Sequence, residues 1–212
     1  MEVDTTGTKD SGERMDAEFE KKLKTGTTTL GIVYKDGVLL AADTQSTAGY
    51  VESRMERKIH QITDSIALTT AGVVGDIQAI LRFLKSEAKL YQMNNGGLTA
   101  KGLVTLLSNV LHGNRMFPFI TSILIGGFNG KSELFAVDPF GGVGSGEKFF
   151  VTGSGGPLAM GVLESTYSDN MTEKEAAKLA IRAVSTAQER DIYSGGKKII
   201  VAVIDKNGYR EL

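Results

Sequence analysis

The chain has 212 residues, enough for one domain with a sizeable core, or for a domain plus a tail. Its 24 Lys and Arg against 25 Asp and Glu leave a formal charge of -1, so no global field draws it to nucleic acid or to an anionic membrane. The absence of cysteine excludes disulfides, thiolate zinc sites, iron–sulfur clusters and a cysteine nucleophile, while His60 and His112, the only two histidines, leave no histidine-rich metal site.

The first 26 residues, Met1 to Gly26, hold seven acids, five bases and six apolar side chains, with no hydrophobic stretch that could act as a signal peptide. This composition predicts a disordered leader. No run approaches the roughly 18 apolar residues of a membrane span, so a soluble protein is expected. From Thr27 the pattern changes. Thr28 to Tyr34 and Val38 to Ala42 read as strands of a hairpin around Lys35-Asp36-Gly37, and Ile66 to Thr70 reads as a further strand. Ala71-Gly72-Val73-Val74-Gly75-Asp76 then turns into a helix whose apolar stripe is Ile77, Ile80, Leu81, Leu84, Ala88 and Tyr91. Asn95-Gly96-Gly97 ends it. A second helix carries Leu103, Leu106, Leu107, Val110 and Leu111 and stops before Pro118.

Strands follow at Ile120 to Phe128 and Leu134 to Asp138, joined by Asn129-Gly130, and at Lys148 to Thr152. Pro157 to Tyr167 reads as a short helix. Thr172 to Glu175 has capping-box spacing before a helix that carries Ala176, Leu179, Ala180, Ala183, Val184 and Ala187 on one face. Ile199 to Ile204 and Tyr209 to Leu212 close the chain as strands around Asn207-Gly208. Strands, two helices, strands, two helices and strands suit two stacked antiparallel sheets with helices outside each, an α+β arrangement, rather than alternating βαβ units.

The glycine clusters do not supply a nucleotide site: none forms a strand-to-helix GxGxxG, and no GxxxxGK[ST] occurs. Gly153-Ser154-Gly155 does not match a GxSxG elbow, and it reads as a loop or helix entry. Both histidines read as surface or packing residues. Thr27 offers a different chemistry. If the Gly26–Thr27 bond is cut, one residue carries a hydroxyl and a free α-amine, whose ordinary pKa of roughly 7.7–8 lets it act as general base without any histidine. A nearby permanent cation would favour the neutral amine, and Lys58 is a candidate, with Asp43 as its counter-ion. A two-residue hairpin loop is expected to set Asp43 opposite Leu30, and a three-residue loop opposite Gly31. Either register leaves it roughly 10–14 Å from Thr27, so a long lysine would have to reach between them. The residues by themselves leave a second reading open, in which Thr27 to Thr29 are β-formers on an edge strand and Asp43 is a turn residue.

The segments Gly26-Thr27-Thr28-Thr29-Leu30-Gly31, Ala41-Ala42-Asp43-Thr44, Ala71 to Asp76, Gly153-Ser154-Gly155, Gly161-Val162-Leu163-Glu164 and Arg190-Asp191 through Ser194-Gly195-Gly196 occur in one order. Together they resemble the β subunit of the 20S proteasome, the archaeal type in particular, from Thr27 to the C-terminus. The resemblance implies a four-layer αββα sandwich of the N-terminal-nucleophile hydrolases. It also implies a propeptide over residues 1–26, removed autocatalytically, and a catalytic domain over 27–212. Thr27 would be the nucleophile of a threonine endopeptidase, with Asp43 and Lys58 as the charged pair, and Ser154, Asp191 and Ser194 as the polar group around the terminus. The Gly72 N–H would be the oxyanion donor. Thr47 would pair with the substrate backbone, and Ser46, His60, Thr70 and Val74 would line the pocket for the residue before the cut bond, P1.

That pocket is expected to hold no carboxylate and no arginine, and so to favour apolar P1 residues. The stretch from Tyr50 to Lys58 is one residue shorter than the family pattern, which leaves Arg57 as an alternative to Lys58. The resemblance further implies seven-membered β rings enclosed by rings of α subunits, a regulatory ATPase acting through the α ring, unfolded polypeptide substrates, a cytoplasmic location, and no cofactor, metal, nucleic acid or membrane. An exposed apolar patch is expected on the isolated subunit. Two rival readings are a structural β subunit that does not cut, and a bacterial two-ring relative or amide-cleaving acylase of the same fold.

Overall fold

The computed structural model describes residues 26–48 and 50–212, so all of the expected leader except Gly26 lies outside the described residues. The chain folds into two five-stranded antiparallel sheets flanked by helices. The first sheet runs in the order β10 (Phe149–Thr152), β1 (Thr29–Tyr34), β2 (Gly37–Ala42), β11 (Ile200–Asp205), β12 (Gly208–Glu211). The second runs β5 (Ile59–Thr63), β6 (Ile66–Gly72), β7 (Thr121–Phe128), β8 (Ser132–Val137), β9 (Val143–Ser145). A separate pair, β3 (Ser46–Thr47) and β4 (Val51–Ser53), stands beside them. Strands β3, β4, β5 and β9 are too short, or too mixed in pattern, to stand out from loops in the sequence.

Three apolar layers explain the stacking. Between the sheets lie Val38, Leu40, Ala42, Ile59, Ala67, Leu134, Ala202 and Ile204. Outside the first sheet, Leu30, Ile32, Leu39 and Ala41 pack against α3 (Gly156–Thr166) and α4 (Glu173–Arg190). Outside the second, Ile66, Leu68, Ile123 and Ile125 pack against α1 (Val74–Asn95) and α2 (Ala100–Gly113). Strand β2 is buried on both faces, so its side chains alternate between the two cores and its six residues are all buried. Helix α4 starts in a complete capping box, with Thr172 accepting from the Glu175 N–H and Glu175 accepting from the Thr172 N–H. Its Ala176, Ala180, Ala183 and Ala187 present a flat buried face to the sheet.

The hairpin register differs from the one expected. A two-residue turn, Lys35-Asp36, pairs Tyr34 with Gly37 and therefore Thr29 with Ala42. Asp43 then falls opposite Thr28, not Leu30 or Gly31, and its N–H donates to the Thr28 carbonyl at 3.1 Å. The physical reason is that Gly37 joins the ladder instead of the turn. This brings Asp43 next to Thr27. Apolar side chains also remain in solvent, with Phe117 91% and Met116 80% exposed side by side in the loop before β7. Among the described residues no helix is long and apolar enough to cross a membrane.

Candidate active site

Four strand ends converge at one edge of the sandwich. Strand β1 is preceded by Thr27 and β2 is followed by Asp43. Strand β6 ends at Gly72, and β10 runs into Gly153-Ser154. In the uncut chain the Thr27 nitrogen is an amide, and its N–H donates to Ser154 Oγ at 3.2 Å. Ser154 Oγ in turn donates to Asp191 Oδ2 at 2.6 Å, and Ser194 Oγ donates to the same oxygen at 2.5 Å. With that proton committed, Ser194 Oγ accepts from Thr28 Oγ1 at 2.7 Å. The hydroxyls of two serines and one threonine thus form a directed chain ending on a single carboxylate.

Asp191 caps the C-terminus of α4, where the helix dipole disfavours a negative charge. The two serine hydroxyls and the Tyr193 N–H, 3.4 Å from Oδ1, compensate it. A helix end fixes the carboxylate more firmly than a free loop would.

On the other side lies a buried ion pair. Lys58 Nζ donates to Asp43 Oδ1 at 2.7 Å, with both side chains at or below 5% exposure. Asp43 also accepts from the backbone N–H groups of Thr28 at 2.9 Å, Gln45 at 3.2 Å and Gly195 at 2.9 Å. It therefore bonds the residue next to Thr27 rather than Thr27 itself. Burial pushes the Lys58 pKa below its ordinary value, and Asp43 opposes that shift without reversing it. Arg57, the alternative to Lys58, points elsewhere: it is paired with Glu211 and more than half exposed.

A cavity of about 180 Å³ opens between these groups. Its lining includes Gly26, Thr27, Ser46, Thr47, Lys58, His60, Thr70, Gly72 and Val74, and so joins nine of the residues singled out from the sequence. Asp43, Ser154, Asp191 and Ser194 are not among its lining residues and act on it through bonds. The cavity also takes in Glu56 and Gln78, which the sequence reading missed, and Arg57, Ile77 and Leu81, which it named in other roles. Glu56 and Arg57 thus add a carboxylate and an arginine to the cavity as a whole, while Ser46, His60, Thr70 and Val74 carry neither. Ile77 and Leu81 were legible as part of the α1 stripe, but their place at the mouth of the helix was not. His60 stands 3.5 Å from the Thr70 hydroxyl. Burial, with the charges of Lys85 and Arg57, pushes its imidazole down to about 4, so it lines the cavity as a neutral ring near pH 7. His112 lies exposed in the last turn of α2.

Gly72 has φ +135, and a Cβ there would fall 2.1 Å from the Ile120 carbonyl oxygen. Only glycine fits both conditions. The Ile120 N–H donates to Asp76 at 2.8 Å and its carbonyl accepts from the Val73 N–H at 2.9 Å, so the first turn of α1 clamps the backbone beneath Gly72. Thr47 donates its hydroxyl to the Tyr193 carbonyl at 3.0 Å. Its strand, β3, has β4 as its only strand neighbour among the described residues.

A buried lysine–aspartate pair and a chain of hydroxyls thus flank a threonine at one edge of two stacked antiparallel sheets. The family model for proteasome subunits matches residues 23–204. The chain is 50% identical over 190 residues to proteasome subunit beta 2 of Thermococcus gammatolerans, covering 89% of this chain and 94% of that one. It is 48% identical over 190 residues to proteasome subunit beta 1 of Pyrococcus furiosus, covering 89% and 96%. It is 47% identical over 189 residues to the proteasome subunit beta of Methanocaldococcus fervens, covering 87% and 84%. The chain belongs to the proteasome subunit family, among β subunits of the archaeal type.

Proposed function

We propose that this chain is the threonine endopeptidase subunit of a 20S proteasome core particle. In this reading the stacked sheets are the four-layer sandwich of an N-terminal-nucleophile hydrolase, residues 1–26 are a propeptide, and 27–212 form the catalytic domain. While Thr27 is joined to Gly26 its nitrogen is an amide and cannot accept a proton. Autocatalytic cleavage of that bond releases the amine. The Thr27 Oγ–H proton then passes to the amine as Oγ attacks the scissile carbonyl carbon, and the ammonium returns the proton to the departing nitrogen. An ester on Thr27 remains. Water, deprotonated by the same amine, attacks the ester, and the acid product leaves with the hydroxyl regenerated.

The observation that carries this reading is the pair of polar groups on either side of Thr27. Ser154, anchored by Asp191, to which Ser194 also donates, accepts from the Thr27 nitrogen. Lys58, held by Asp43, lines the same cavity as Thr27 and favours the neutral amine by its charge. The Gly72 N–H is assigned to the oxyanion, where a preorganised donor is worth several kcal/mol, about 3 per donor removed. The open edge of β3 suits a substrate added as a strand at Thr47. Ser46, His60, Thr70 and Val74, joined by Ile77 and Leu81, form a P1 pocket whose nearest arginine, Arg57, is engaged by Glu211, so apolar P1 residues are favoured over acidic ones.

Seven-membered rings of β subunits enclosed by α rings would cover the exposed Met116 and Phe117, and would admit only unfolded chains. A regulatory ATPase acting through the α ring and a cytoplasmic location follow from the same reading. Mass spectrometry of assembled particles tests it, with Thr27 expected as the first residue. Thr27→Ala should abolish both processing and peptide hydrolysis while assembly persists. A Gly26–Thr27 bond that survives full assembly would instead identify a structural subunit.

A further inference from the structure

The contact between the two sheets is largely apolar, and beside the candidate site it also carries polar links: the Lys58–Asp43 pair just beyond the ends of β5 and β2, and a bond between two buried threonines. Thr29 Oγ1 lies 3.0 Å from Thr69 Oγ1 on β6 and 2.6 Å from Thr152 Oγ1 on β10. Thr29 and Thr69 are both fully buried. Among the described strand residues, the Thr29–Thr69 bond is the single side-chain hydrogen bond that joins the two sheets. A hydroxyl has one proton and two acceptor lone pairs, so Thr29 can satisfy both neighbours at once.

The three strands it ties are the ones that supply the reacting groups. Thr29 is two residues from Thr27. Thr69 is next to Thr70 and three residues from Gly72. Thr152 is two residues before Ser154. We propose that Thr29 is a positioning residue: its hydroxyl, through Thr69 and Thr152, fixes the spacing between the nucleophile of one sheet and the oxyanion glycine of the other. This inference rests on the reading of Thr27 as nucleophile. Apolar packing positions the sheets by shape alone, whereas the Thr29–Thr69 bond that crosses between them is directional, and the Thr29–Thr152 bond holds Thr29 in place within its own sheet. Hydrolysis is sensitive to such spacing, since a displacement of about 1 Å can cost roughly a hundredfold in rate.

Thr29→Val keeps the shape of the side chain and removes the bonds, but strands the Thr69 hydroxyl, so it lowers stability as well as rate. The informative comparison is with Thr29→Val/Thr69→Val, in which both fully buried partners become apolar and the half-buried Thr152 hydroxyl turns to water, so stability recovers. In assembled particles the double variant is expected to match the parent in melting temperature and in KM for a fluorogenic peptide, with kcat down by roughly tenfold or more. Thr29→Ser should restore kcat. A double variant with parental kcat, or a Thr29→Ser as slow as Thr29→Val, overturns the proposal. A parent particle that hydrolyses no peptide, or that keeps its rate as Thr27→Ala, overturns it together with the reading it rests on.

Discussion

The two sheets contribute to the candidate site by different physics. The first sheet holds Thr27, Asp43 and Ser154 at the ends of β1, β2 and β10 by short hydrogen bonds and a buried ion pair. The second sheet and α1 supply His60, Thr70, Gly72, Val74, Ile77, Gln78 and Leu81, half of the residues that line the cavity. Polar bonds are directional and fix atoms to tenths of an ångström, while apolar walls set shape and volume. Attack on a carbonyl requires the former, and acceptance of varied side chains requires the latter. The sheets therefore respond differently to substitution.

The largest effect is expected within the ion pair, and it should be asymmetric. Asp43→Ala leaves the Lys58 ammonium buried with no acceptor and should destabilise the subunit by about 3–5 kcal/mol. Lys58→Met leaves Asp43 with its three backbone donors and should cost less. Both should nearly abolish hydrolysis. Chemical denaturation of the two variants checks the order, and equal losses would show that the backbone donors do not hold Asp43. Ser154→Ala ranks next. It removes the acceptor of the Thr27 nitrogen without touching the cavity, so kcat should fall by roughly 10²-fold with KM little changed.

Changes to the wall should be smaller and should alter preference rather than chemistry. A fluorogenic panel is expected to show faster cleavage after apolar P1 residues than after Arg or Asp, since burying such a side chain gains roughly 1.5–3 kcal/mol. Leu81→Ala should narrow that advantage by about tenfold or less in kcat/KM and leave the rate on small P1 residues intact. Faster cleavage after Arg would show that Glu56, not the apolar wall, decides the pocket.

The smallest effect concerns pH. Half-buried His60 has its pKa pushed down to about 4 from the ordinary 6.5, so between these values the unfolded chain binds more protons than the folded one. Stability then rises with pH across that window: the contribution is fully present above pH 6.5 and lost as the pH falls toward 4. His60→Leu should flatten this part of the stability profile, measured by denaturation midpoints at pH 7 and pH 4.5. An unchanged slope would mean that the imidazole is hydrated.

Much of this arrangement was legible before folding. The element order implied two antiparallel sheets with helices outside them, and the sheets, the helix pairs and the Thr172 capping box are all present. Strands β3, β4, β5 and β9 escaped notice because two to five residues carry too little alternation. The register of the first hairpin was misjudged because Gly37 can serve equally well in a turn or a strand. Glu56, Gln78 and Thr28 were missed because nothing in their local sequence separates them from surface or strand residues. Only their neighbours in space do.

What the sequence determined by itself was local: periodicity, caps and turns. Those properties depend on neighbours a few positions away along the chain. The tertiary structure decided which charge meets which. Lys58 and not Arg57 reaches Asp43, and Ser194 shares an oxygen of Asp191 with Ser154 across 40 residues of chain. Such pairings arise when two sheets stack and exclude water, because only then does an unmatched charge or hydroxyl become costly enough to select its partner.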